Sequence, residues 1–181
     1  LSPLDVVKFT YAYCEKMRER RPKPADERYK VVVGKDARLS GDMVEQLVCG
    51  TLIACGVDVV KAGLCSTPTT EMAVVFEEAD GGIILTASHN PKEYNGYKAY
   101  WNDGAQLTAP HDELVIEQVN AITDLVQVKM QDNDDNITII GEEIDKIYLE
   151  KVKALSLNSD CIKKHKDLKI VYTPLHGTGI A

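Results

Sequence analysis

Apolar residues recur at helical spacing near the start of the chain: Leu4, Val7, Tyr11, Cys14 and Met17 share one face. Ser2-Pro3 ahead of them is a helix start with proline at the first helical position, and the charged, proline-broken run "RERRPKP" ends the pattern. "YKVVVG" (29–34) is a continuous apolar run of the kind that makes a buried strand. Ser40 is then placed to cap a helix whose Met43, Val44, Leu47, Val48 and Leu52 face a core. "VDVVKAG" predicts a second strand, and Thr67-Pro68 opens a helix that runs to about Glu78. "GGIILTA" and "GYKAYW" predict a third and a fourth strand, with helices following near 110–122 and 143–157.

Strands alternating with helices of this length imply βαβ units and a largely parallel sheet covered on both faces. The loop between the third and fourth strands is too short for a parallel crossover, so the fourth is antiparallel. The expected fold is therefore a three-layer α/β/α domain around a mixed, mostly parallel four-stranded sheet whose last strand is antiparallel. Near the end, "LKIVYTPLHGTG" repeats the strand-then-glycine-loop pattern of "YKVVVGKDARLSG". That echo divides the chain into a domain over 1–166 and the truncated start of a second α/β domain over 167–181. The chain opens on Leu1 and stops at "HGTGIA", which reads as a piece of a longer protein.

Composition narrows the classes. The 181 residues carry 44% hydrophobic and 27% charged content, enough for one sizeable core. No apolar run approaches the roughly 20 residues a membrane span needs, and no signal-peptide pattern opens the chain, so a cytoplasmic protein is expected. A formal charge of −7 argues against nucleic-acid or membrane-surface partners, and an anionic ligand would need a local cluster to hold it. Cys14, Cys49, Cys55, Cys65 and Cys161 are odd in number and form no C-x-x-C pair, which favours reduced core thiols. Asp132, Asp134, Asn136 and Glu143 have calcium-loop spacing, but Ile137 stands where the sharp turn requires glycine, so an acidic surface loop is expected there.

In such sheets ligands gather at the carboxyl ends of the strands. Three polar loops lie there: "GKDARLSG", "CSTPTT" and "TASHNP". Gly34 and Gly41 free the backbone, Arg38 offers a planar fork suited to phosphate, Ser88 a hydroxyl that can carry a phosphoryl group, and Lys98 a compact cation on the next strand. His89 and Asn90 add donors beside the serine. Each residue also has a bland reading. Asp36 and Arg38 make a surface ion pair worth roughly 0–1 kcal/mol, Ser88-His89-Asn90-Pro91 a simple turn, Lys98 a solvated edge charge, and His176 a loop histidine.

The ensemble outweighs those readings. "TASHNP" followed by "NGYKAY", with "GKDARLSG" before and "YTPLHGTG" after, resembles the first domain of the α-D-phosphohexomutases, the phosphoglucomutase and phosphomannomutase superfamily, over nearly the whole chain. The resemblance implies that Ser88 is the phosphoserine and a ligand to Mg²⁺. It implies that Arg38 lies near the phosphoserine and that Lys98 is a candidate for proton transfer. His89, Asn90 and Asn95 are implied as substrate-binding. It further implies a phosphorylated hexose as substrate, a sugar 1,6-bisphosphate as activator, and an intramolecular phosphotransfer between the 1 and 6 positions. The extended match "SHNPKEYNGYKAYWNDGAQ" points to the phosphoglucomutase and phosphopentomutase-like branch. The family's opening G-T-S-G-I-R-G segment and the metal, sugar and phosphate loops of its later domains are missing from this sequence. The remaining domains of the parent chain are thus the expected partners, and the 181 residues are expected to fold but to be inactive by themselves. Phosphopentomutase-like activity and a noncatalytic sugar-phosphate binding module remain the alternatives. A serine hydrolase would need a G-x-S-x-G elbow, which the sequence does not contain.

Overall fold

The structure, a computed structural model, describes residues 2–87, 90–91, 93–128, 137–165 and 167–173. Helix α1 (Pro3–Arg20) begins with a reciprocal cap, in which the Ser2 hydroxyl accepts from the Asp5 amide and the Asp5 carboxylate accepts from the Ser2 amide. It leads into β1 (Tyr29–Lys35), α2 (Gly41–Ala54), β2 (Val57–Leu64), α3 (Thr67–Phe76), β3 (Gly81–Leu85) and β4 (Tyr97–Trp101). Helix α4 (His111–Ala121), strand β5 (Ile137–Ile139), α5 (Glu142–Ala154) and the short α6 (Ser159–Lys164) follow.

Among the described residues the sheet has five strands in the order β4-β3-β1-β2-β5. β1 pairs in parallel with β2 and β3, β2 in parallel with β5, and β3 antiparallel with β4. The expected α/β/α architecture is therefore present, with one strand more than the four predicted. The extra strand is three residues long and sits at the sheet edge with all its residues exposed, so "ITI" carries neither the length nor the burial pattern that marks a strand in sequence.

Alternation along the strands builds two cores. Val31, Val33, Val57, Val59, Ile83 and Leu85 pack under α1, α2 and α4, while Val32, Val60 and Ala62 pack with Ala73 and Val74 of α3 and with Ile144 of α5. Tyr13, fully buried, reaches from α1 across the start of β3 and donates to the Tyr100 carbonyl at 2.8 Å. Gly81 makes room for it, because a Cβ there would meet both the Tyr13 hydroxyl and, at 2.6 Å, the Tyr100 carbonyl. Burial pushes the Tyr13 phenol well above its ordinary pKa and keeps it a donor.

Several sequence expectations shift. Leu4 and Met43 are exposed rather than core. Ser40 occupies the N-cap position of α2, but its hydroxyl makes no capping bond. Helix α6 was not anticipated. Residues 168–173, predicted as a strand, form no strand, and Leu168, Ile170, Val171 and Tyr172 are exposed. Cys14, Cys49, Cys55 and Cys65 are buried free thiols, as expected, whereas Cys161 is exposed. Among the described residues no helix is long and apolar enough to cross a membrane. Asp132, Asp134 and Asn136 of the calcium-like spacing, and His176, lie outside the described residues.

Candidate active site

The three polar loops converge at the carboxyl end of the sheet, and backbone bonds hold them together. The Asp36 amide donates to the Leu85 carbonyl at 3.1 Å, tying the first loop to the end of β3. The Cys65 amide donates to the Lys35 carbonyl at 3.0 Å and brings the second loop alongside. The third loop closes on itself, with the Thr86 amide donating to the Gly96 carbonyl at 3.0 Å. Gly34 permits the approach of α3: a Cβ there would collide with the Thr70 hydroxyl and lie 2.6 Å from the Cys65 sulfur. Close packing is thus the reason for this glycine. Neither Gly34 nor Gly41 adopts a positive φ, so the backbone freedom expected of them is not what the fold uses.

Arg38 lies at the centre of this junction. Its side chain is fully buried (0% exposed) and its Nε donates to Asp36 Oδ2 at 2.9 Å. Its Nη1 donates to three carbonyls of the third loop, Asn90 at 3.1 Å, Pro91 at 2.7 Å and Tyr94 at 2.9 Å. Asp36 also accepts from the Arg38 amide at 3.1 Å and from the Thr86 hydroxyl at 2.7 Å. The surface ion pair of the bland reading is therefore a buried one. The sequence signal for it was the i, i+2 spacing of Asp36 and Arg38 in a loop, but burial cannot be read from spacing. Thr86 was missed altogether, since a threonine at a strand end has no distinctive pattern.

Asn95, expected to contact substrate, spans two loops: its Nδ2 donates to the Ser40 hydroxyl at 3.0 Å and its Oδ1 accepts from the Gly96 amide at 2.9 Å. Ser40, read as a helix cap, spends its hydroxyl there. Asn90 is exposed, and its amide donates to the Ala87 carbonyl at 3.0 Å. Lys98 pairs with Ile84 across β3 and β4. Tyr97, Ala99 and Trp101 belong to the core beneath α1 and α4, so alternation puts Lys98 and Tyr100 on the α3 face. There it meets Glu71 of α3, whose carboxyl is pushed up by burial while the Lys98 charge works against that shift. Ser88 and His89 lie outside the described residues, as does Lys92. The flanking positions that are described, Thr86, Asn90, Pro91 and Tyr94, are the ones the Asp36-Arg38 pair grips.

Residues 1–125 match the family model described as phosphoglucomutase/phosphomannomutase, alpha/beta/alpha domain I. The chain belongs to that family. It is 35% identical over 147 residues to a phosphoglucomutase/phosphomannomutase of Thermococcus kodakarensis, covering 81% of this chain and 31% of that protein. It is 33% identical over 152 residues to a phosphoglucosamine mutase of Clostridioides difficile, covering 84% of this chain and 33% of the relative. The phosphoglucomutase pp63/parafusin from Paramecium superposes with a TM-score of 0.74 over 96% of this chain and 36% of its own, at 20% identity, a likeness of fold. The chain thus spans about a third of the length of the relatives it matches, and what it shares with them is the first α/β/α domain of a phosphohexomutase.

The described residues do not assemble a metal site: no group of three or more His, Cys, Asp or Glu side chains is placed to hold an ion. Asp36, the carboxylate at the mouth, is already engaged by Arg38 and Thr86. Ser88, the Mg²⁺ ligand that the resemblance implies on this chain, lies outside the described residues.

Proposed function

We propose that this chain is the phosphoserine-bearing domain of a longer phosphohexomutase that moves phosphate between the 1 and 6 positions of a hexose through a bisphosphate intermediate. Ser88 is the carrier. The observation that supports this most is the loop after β3, whose backbone carbonyls at Asn90, Pro91 and Tyr94 are fastened to a buried guanidinium at the mouth of the sheet. A loop held that firmly suits phosphoryl transfer, in which positioning and charge stabilisation supply most of the rate.

In the forward half-reaction a sugar hydroxyl attacks the phosphorus of phosphoserine. The new P–O bond forms on the sugar, the P–Oγ bond to Ser88 breaks, and the hydroxyl proton passes to a base for which Lys98 is the candidate. Reversal from the other end of the bisphosphate restores the phosphoserine. Lys98 stands on β4, which runs directly out of the loop, within electrostatic reach of Glu71 on α3. Arg38 contributes by holding the loop, while His89, Asn90 and Asn95 line the same segment. Gripping the sugar falls to domains beyond these 181 residues, and the exposed apolar positions Ile170, Val171 and Tyr172 suit a segment from 167 onward that packs in the next domain. A domain without those parts is expected to fold and not to turn over. Relatives named for glucose, mannose and glucosamine phosphates keep the substrate at the level of a phosphorylated hexose. The decisive experiment is transfer of phosphate to Ser88 in the parent chain, with Ser88→Ala as control.

A further inference from the structure

We propose that Asp36, Arg38 and Thr86 form a latch that ties down the segment after β3 at Thr86, Asn90, Pro91 and Tyr94, and that Arg38 serves as a positioning residue and not as a phosphate ligand. The inference rests on the phosphotransfer reading given above for its catalytic consequence, but the latch itself is a statement about the fold.

Three features carry it. First, the guanidinium is sealed from solvent, with its Nε on a carboxylate and its Nη1 shared among three carbonyls at 2.7–3.1 Å. For Nε or Nη1 to reach a phosphate those bonds would have to be given up, and the largely buried Asp36 carboxylate would lose its charged partner. Second, the carbonyls belong to positions 90, 91 and 94, so one planar group fixes both limbs of the turn that follows Ser88. Third, Asp36 joins the latch to the end of β3. Its amide bonds the Leu85 carbonyl and its Oδ2 takes the Thr86 hydroxyl, both where β3 enters the loop, while Arg38, bonded to the same carboxylate, holds the Tyr94 carbonyl on the side that leaves it. The Asn95 to Ser40 bond is a second tie between the same two loops.

A lysine cannot reproduce this arrangement, because its single ammonium can neither hold the planar contact to Asp36 nor reach three carbonyls together. The test is made on Arg38→Lys and, since that variant replaces a buried group, also on Thr86→Val, which removes one donor at nearly constant shape. Amide hydrogen exchange is measured on the 181-residue sequence within the parent chain. The amides of Asn90, Tyr94 and Gly96, each bonded within the loop, are expected to lose protection by about tenfold or more, while those of β1 keep theirs. Steady-state kinetics with a hexose monophosphate then separate the roles. The latch predicts kcat lower by about 10- to 100-fold for Arg38→Lys, with KM and the inhibition constant of inorganic phosphate unchanged, and a smaller fall of the same kind for Thr86→Val. Unchanged loop protection overturns the latch whatever the activity. A raised KM or weakened inhibition by inorganic phosphate, with kcat intact, overturns it in favour of a phosphate ligand. If the wild-type parent shows no mutase activity, the functional reading fails, and the exchange data still decide the latch.

Discussion

Asp80→Ala tests how β3, the strand that delivers the loop, is held at its other end. Asp80 is 3% exposed. Its Oδ2 accepts from Lys23 Nζ at 2.8 Å and from the Lys30 amide at 2.9 Å, and its Oδ1 accepts from Arg21 Nη1 at 3.3 Å. Arg21 is half exposed, so that pair adds little. Lys23 is buried to 12% exposure but retains Glu27 at 2.9 Å and the Arg28 carbonyl at 3.2 Å, so alanine leaves it weakened but not stranded. The Lys30 amide loses its acceptor, at a cost of about 1–3 kcal/mol, and the charge-assisted bond from Lys23 contributes about 1.5–3 kcal/mol of its own. Partial relaxation and the remaining partners of Lys23 put the expected loss at about 3 kcal/mol. For a chain of this size that lowers Tm by roughly 6–12 °C. Asp80→Asn keeps an acceptor for the Lys30 amide and should lose about half as much. Urea and thermal unfolding followed by circular dichroism, with unchanged m, read both numbers. An alanine variant within about 0.5 kcal/mol of wild type would refute the reasoning, since that is the effect of an unremarkable surface substitution.

Gly34→Ala forces a methyl group between the Thr70 hydroxyl and the Cys65 sulfur and should cost about 1–3 kcal/mol by overpacking, read as a lower urea midpoint; a neutral result would mean α3 is not seated as described. Thiol labelling of the native chain should modify Cys161 quickly and the other four cysteines only on unfolding, because they are buried and burial pushes the Cys49 thiol up to about 11; fast reaction of two or more thiols would contradict the packing of α1 and α2.

How far the sequence carried these conclusions depended on how local each cause was. Buried parallel strands announce themselves as runs such as Val31-Val32-Val33, and Ser2-Pro3 and Ser66-Thr67-Pro68 mark helix starts by chemistry confined to one turn. β5 escaped because three exposed edge residues show neither periodicity nor burial. Ser40 was misread for a related reason: a serine before a helix resembles a cap, and what its hydroxyl does here is decided by Asn95, 55 positions away. The motif residues pointed to the family before any geometry was known, whereas their division of labour did not follow from the motif. Arg38 has the chemistry of a phosphate ligand in the sequence and the surroundings of a buried brace in the fold. That difference lies in carbonyls more than 50 residues distant, and no residue type encodes a carbonyl.

The central claim is that Ser88 carries the transferred phosphate, and the direct measurement is mass mapping of the parent chain after incubation with a hexose 1,6-bisphosphate. The peptide that contains Ser88 should gain about 80 Da and lose it when a hexose monophosphate is added, and a folded Ser88→Ala variant should show neither the label nor turnover. Phosphate on another residue, or wild-type turnover by Ser88→Ala, would contradict it.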